Sequence, residues 1–134
     1  MMKKVKVYIE LADRGYSAYM EKNSLDYGLI GEGASVKECI LDFTNMYTAL
    51  KDHYEAIGKH FEEAQFDYYY DTASFLEEYS KTFSLAGLER ITGVNQTQLG
   101  HYLHGRRKPT RKTIARIQSS VKKFAENLMA IQFA

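Results

Sequence analysis

Most of the residue types able to do chemistry are dispersed along this chain. Asp13, Glu32, Asp42 and Asp67 fall on a turn, a strand end, a helix and a strand, not in the tight carboxylate set that holds divalent ions for phosphodiester cleavage. His101 and His104 share one short helix without a cysteine or acidic mate, and His53 and His60 are no better supplied, so no zinc site is expected. Cys39 is the only thiol and sits on an apolar helical stripe, where it reads as a buried, inert side chain. The sequence has no Ser-His-Asp set, glycine-rich phosphate loop or CxxC pair, and the glycines around Glu32 lack the context of a nucleotide fingerprint. Catalysis, metal and cofactor are therefore not expected. One run is different in kind: in residues 84–110, SLAGLERITGVNQTQLGHYLHGRRKPT, the polar residues Gln96, Thr97 and His101 stand just ahead of Arg106, Arg107 and Lys108, with Arg111 directly after the run. That is the chemistry of recognition, with a polyanion as the object.

Two short helices must position those residues. Ser84 can cap the first, with Leu85, Leu88 and Ile91 or Thr92 as its apolar side, and Gly93 allows the chain to turn without a Cβ penalty. Asn95 can cap the second, in which Leu99, Tyr102 and Leu103 point inward and Gln96, Thr97, Gly100 and His101 point outward. Gly105 closes it, ahead of the basic run and Pro109. With Gly93 at the turn, Val94, Leu99 and Tyr102 inside and a GRRKPT exit, this stretch resembles the helix-turn-helix of the lambda repressor and Cro class. Glu89 departs from that pattern, standing where the family usually has a small alanine. The resemblance implies that Asn95, Gln96, Thr97 and His101 face base edges in the major groove and that Arg106, Arg107, Lys108 and Arg111 hold phosphates.

The net charge of +1 conceals a strong sorting. Residues 1–71 carry 8 Lys and Arg against 13 Asp and Glu, a balance of −5, while residues 72–134 carry 10 against 4, a balance of +6. No acidic residue lies between Glu89 and Glu126. A nucleic-acid-binding half joined to an acidic half of another kind is expected. At 134 residues the chain has room for one ordinary core or two small ones. No run approaches the ~20 apolar residues that span a bilayer. The Met1-Met2-Lys3-Lys4 opening leads directly into an alternating pattern, so a cytoplasmic address without membrane association is expected.

The acidic half reads as strand, strand, strand, helix, strand. Val5, Val7, Ile9 and Leu11 alternate with Lys4, Lys6, Tyr8 and Glu10; a turn over 12–15 and a second alternating run over 16–21 complete a hairpin; 27–32 gives a weaker third strand, its Gly28 and Gly31 marking a bulge or a close backbone approach. Ser35 and Glu38 form a capping-box pattern ahead of a long stripe, Val36, Cys39, Ile40, Phe43, Tyr47, Leu50, Tyr54, Ile57 and Phe61, which Gly58 could interrupt. Phe66, Tyr68 and Tyr70 alternate with Asp67 and Tyr69 in a short aromatic strand. This order, with VYIE at 7–10, GYSAYM at 15–20 and Gly33, Ser35 and Glu38 at the helix start, resembles the HicB family of antitoxins. That resemblance implies a shortened RNase H-like domain and, as partner, a small basic RNA-cleaving toxin of the HicA kind.

The expected architecture is α+β: a three- to four-stranded sheet packed by one long helix in residues 1–71, then an all-α helix-turn-helix domain in 72–134. Asp71 and Thr72 cap a first helix with Phe75, Leu76, Tyr79 and Phe83 on its apolar face, and Ile114, Ile117, Val121, Phe124, Leu128 and Ile131 mark a long last helix whose stripe suits either its own domain or a partner subunit. The expected function is a non-enzymatic antitoxin that also represses its own operon as a dimer or higher homo-oligomer on double-stranded operator DNA. The alternatives are a stand-alone regulator whose αβ half senses a ligand or oligomerises, and a ribonuclease. The sequence assigns no toxin-contacting residues.

Overall fold

The alternation of Val5, Val7, Ile9 and Leu11 with polar residues builds the central strand of a sheet. The computed structural model describes residues 2–134 and has an α+β architecture: β1 (Lys3–Ala12), β2 (Gly15–Met20), β3 (Ile30–Gly33), α1 (Val36–Ala56), β4 (Ala64–Tyr70), α2 (Thr72–Tyr79), α3 (Leu85–Thr92), α4 (Gln96–Leu103) and α5 (Arg111–Met129). It divides into two compact units, Met1–Ser74 and Phe75–Ala134.

In the first unit the four strands lie in the order β3-β2-β1-β4, with β1 antiparallel to β2, β2 antiparallel to β3 and β1 parallel to β4. A parallel pair needs a crossover, and α1 supplies it. The inward residues of the sheet pack with Val36, Cys39 and Phe43 of α1, all buried. Ser35 caps α1 by accepting from the Glu38 amide at 3.2 Å, and the Glu38 carboxylate accepts in return from the Ala34 amide at 2.9 Å. The helix lies so close to β3 that a Cβ on Gly31 would stand 2.5 Å from the Cys39 carbonyl oxygen and 2.7 Å from the Phe43 amide nitrogen. Gly31 thus marks a close approach, whereas Gly28 faces open space, and the third strand starts at Ile30, not Tyr27.

The apolar stripe of α1 stops short of the expected Phe61. Gly58 takes φ +69, the Lys59 amide donates back to the Tyr54 carbonyl at 2.9 Å, and Ile57 is left 58% exposed. Phe61 returns from beyond the helix to stack on Tyr27 at 4.7 Å between ring centres and to meet Tyr47 and Tyr54. The Tyr27 hydroxyl donates to the Glu62 carbonyl at 2.7 Å, pinning the same loop. Asp71 then closes the unit: its carboxylate accepts from Leu11 at 3.0 Å and from Ser74 at 2.8 Å, while the Ser74 hydroxyl donates to the Ile9 carbonyl at 3.3 Å. These bonds hold the first turn of α2 to β1, which is why the unit runs to Ser74.

In the second unit Leu76, Leu88, Val94, Leu99, Tyr102 and Ile117 form the core, drawn from α2, α3, α4, α5 and the α3–α4 turn. α2 ends at Tyr79, so Phe83 lies beyond it, where it packs edge-on to Phe124 of α5 at 5.8 Å. Only the middle of the α5 stripe joins this core. Ile117 is buried and Val121 packs against it, but Ile114 is 48% and Leu128 57% exposed, and Ile131, also 57% exposed, lies beyond the helix, which ends at Met129 with Ala130 as its cap, so the expected stripe is one residue short. No helix among the described residues is long and apolar enough to cross a membrane.

Candidate nucleic-acid interface

The candidate site is built from both ends of a glycine turn. Ser84 caps α3 by accepting from the Gly87 amide at 3.0 Å. At the other end Gly93 takes φ 72, and its amide donates to the Glu89 carbonyl at 2.7 Å. Thr92 is buried but satisfied: its hydroxyl donates to the Leu88 carbonyl at 2.7 Å and accepts from the Val94 amide at 3.1 Å, fixing the turn from inside. The guanidinium of Arg116, from α5, lies against Gly93 so closely that a Cβ there would stand 2.4 Å from it.

α4 leaves this turn with Asn95, Gln96 and Thr97 exposed at its first turn. Their availability differs. The Asn95 side-chain oxygen accepts from the Thr97 amide at 2.8 Å, so capping occupies it and leaves the amide NH2 to donate. Among the described residues the Gln96 and Thr97 side chains have no hydrogen-bond partner, the bonds at these positions being made by their backbone amides. The Gln96 amide, however, donates to the Glu89 carboxylate at 2.7 Å. Glu89 therefore occupies the N-terminus of α4 with a protein charge, which the helix dipole favours. His101 corrects the expectation of a freely outward side chain. It is only half-exposed, and its Nδ1 is buried without a hydrogen-bond partner, because one turn further along α4 lies closer to the packed body of the unit.

The expected phosphate-holding residues come out together. Gly105 ends α4 at φ 71, the Arg106 amide closing on the His101 carbonyl at 2.9 Å, and the chain then runs through exposed Arg106, Arg107 and Lys108 to Thr110, which caps α5 by accepting from the Thr113 amide at 3.2 Å. Exposed Arg111 starts α5. Among the described residues the ion pairs are Lys51–Glu63, Lys59–Asp26 and Lys81–Glu77, so none neutralises these four cations. Exposed amide and hydroxyl groups at the start of α4 can hydrogen-bond base edges, and the exposed cations that follow its other end can neutralise phosphates.

Two participants escaped sequence reasoning. Glu89 was visible only as a departure from the family pattern, and its role depends on a contact to a residue seven positions on. Arg116 reads as one more cation until the fold lays it on Gly93. Of the carboxylates weighed for metal binding, Asp42 and Glu32 are brought together, Asp42 accepting from the Glu32 amide at 2.9 Å, and the described residues contain no group of three or more His, Cys, Asp or Glu placed to hold a metal ion. Cys39 is buried, and that burial pushes its thiol up to about 11, leaving little thiolate at neutral pH.

No protein-family model, curated protein or solved structure matches this chain.

Proposed function

We propose that this chain is a HicB-like antitoxin that holds a small, basic, RNA-cleaving protein inactive through its first unit and represses transcription by binding operator DNA through its second. In the second unit α3 and α4 act as a helix-turn-helix of the lambda repressor and Cro kind. Gln96 and Thr97, with the Asn95 amide, read base edges, and His101 approaches them from the next turn. Arg106, Arg107, Lys108 and Arg111 hold the phosphates. The first unit corresponds to a shortened RNase H-like domain that carries no catalysis. Exposed Leu128 at the end of α5 and exposed Ile131 just beyond it are where two copies meet, so that paired α4 helices address a two-fold operator.

The observation that supports this most is an exposed, capped helix start in the same short segment as four exposed cations that have no acidic partner among the described residues. The acidic balance of −5 over residues 1–71 supports a basic partner for the other unit. The test is whether a small basic reading frame lies beside this gene and, with its product, co-expression. Copurification and relief of its growth arrest are expected. Neither occurring removes the antitoxin half of the proposal and leaves the DNA-binding half to its own test.

A further inference from the structure

The face of the sheet that α1 does not cover carries one unusual row. Ile30 lies opposite Tyr19, Tyr19 opposite Tyr8, and Tyr8 opposite Tyr69, so a single register line crosses all four strands with apolar or aromatic side chains. The Tyr8 ring is 5.6 Å from Tyr19 and 6.0 Å from Tyr69, and the ends of the row, Ile30 and Tyr69, are 57% and 47% exposed. An uncovered sheet face is ordinarily polar, so a contiguous stripe of this kind marks a contact surface. At its β3 end it opens into a cavity of about 490 Å³ lined in part by Tyr19, Met20, Leu29 and Ile30, of a size to accept a side chain.

The neighbouring rows are acidic. On one side Glu32, Ser17 and Glu10 stand in register. On the other, Lys6 pairs with Asp67, and its amide donates to the Glu21 carboxylate at 3.1 Å. Four carboxylates thus border the stripe, while the Lys6 ammonium lies over the Tyr69 ring, 5.0 Å from its centre. Single-stranded nucleic acid also stacks on sheet aromatics, but within a cationic groove, and here the rings tilt against one another at 39° and 51° inside an acidic border. Aromatics at the centre and charge at the rim are the anatomy of a protein interface, and the sign of the rim selects a basic protein.

We propose that the Ile30–Tyr19–Tyr8–Tyr69 stripe is the surface on which the small basic partner docks, its apolar side chains on the stripe and its Lys and Arg against Glu10, Glu32 and Asp67. This rests on the antitoxin reading of the first unit. The test uses the full chain with the product of a small basic reading frame found beside the gene, whose absence would overturn both readings, measuring affinity for wild type, Ile30→Asp, Tyr69→Ala and the pair Glu32→Lys with Asp67→Lys. Leu41→Asp, on the outer side of α1 and 59% exposed in the wild type, serves as control. Thermal unfolding and DNA binding verify that each variant folds. Ile30→Asp and Tyr69→Ala are expected each to weaken the complex by about tenfold or more. The charge pair should weaken it and flatten its salt dependence, and Leu41→Asp should change neither. Wild-type complex with undiminished affinity in folded stripe variants overturns the docking surface and leaves the antitoxin reading intact. No complex with wild type overturns both. Loss in the stripe variants of binding to poly-uridylate, or of self-association, would assign the stripe to RNA or to a second copy and overturn this proposal as well.

Discussion

Replacing Gly93 by alanine isolates what the turn between α3 and α4 requires. Two penalties are separable. The backbone holds φ 72, where an L side chain costs about 1–2 kcal/mol. The added Cβ would also stand 2.4 Å from an Arg116 Nη, but this is the far end of a flexible side chain that can swing into solvent at small cost. Gly93→Ala should therefore lose about 1–2 kcal/mol, nearly all of it backbone. A small unit holds roughly 0.05–0.15 kcal/mol per residue, so this is a large share of its stability, and a loss of ~1 kcal/mol lowers its midpoint by about 4–8 °C. The assay is urea and thermal unfolding of the full chain, followed by helical ellipticity, for Gly93→Ala, Arg116→Ala and the double variant. The double variant should lose the same increment relative to Arg116→Ala, within about 0.5 kcal/mol. Rescue by removing Arg116 would show that the clash, not the backbone, sets the cost. A Gly93→Ala protein as stable as wild type would refute the reasoning altogether.

Three further outcomes can be checked. Gly31→Ala forces a Cβ to 2.5 Å from the Cys39 carbonyl of α1, a neighbour that cannot step aside, and should cost about 1–3 kcal/mol in urea unfolding, whereas Gly28→Ala, which meets nothing within 4 Å, should be close to neutral; equal losses would refute the close approach. Tyr19, chiefly through its bond to Glu10, and Tyr27, chiefly through burial, are both pushed up to about 12, and burial also pushes Tyr68 up, so the folded first unit keeps three phenol protons beyond the pH at which the unfolded chain surrenders them near 10. Their contribution is complete below pH 10 and is lost as pH rises through the raised values; tyrosinate absorbance should show late-titrating groups, with Glu10→Gln drawing only Tyr19 back, and a uniform titration would count against it. Glu89→Ala removes the acceptor of the Gln96 amide, should cost about 1 kcal/mol of stability, and should raise affinity for random-sequence duplex by uncovering the helix N-terminus; unchanged affinity would mean that Glu89 does not compete with phosphate.

What could be read from the sequence was local and periodic. The alternation in β1 and β2, the Ser35 and Glu38 box and the caps at Ser84 and Asn95 each act within a few residues, and the structure has them where the pattern points. What could not be read depends on distant partners. Phe61 continues the spacing of the α1 stripe, yet Gly58 stops the helix and an aromatic cluster centred on Tyr27 recaptures the ring. The pairing of β4 alongside β1 has no local signature, and without its register Tyr8, Tyr19 and Tyr69 are three tyrosines from separate segments instead of one row. At the candidate interface, the exposure of Gln96, Thr97 and the basic run followed from spacing, but the spent oxygen of Asn95 and the buried Nδ1 of His101 follow from packing.

The measurement closest to the central claim is the salt dependence of duplex binding by the full chain, on a fragment enriched by the protein from a randomised pool. Each phosphate neutralised contributes about −0.9 to the slope of log affinity against log salt. If Arg106, Arg107, Lys108 and Arg111 each hold one phosphate, replacing all four by alanine should flatten the slope by about 3–4 per bound chain, while Gln96→Ala should leave the slope unchanged and erode the preference for the enriched fragment over random duplex. No enrichment from the pool, or a slope that survives loss of the four cations, would contradict the assignment of this unit to DNA.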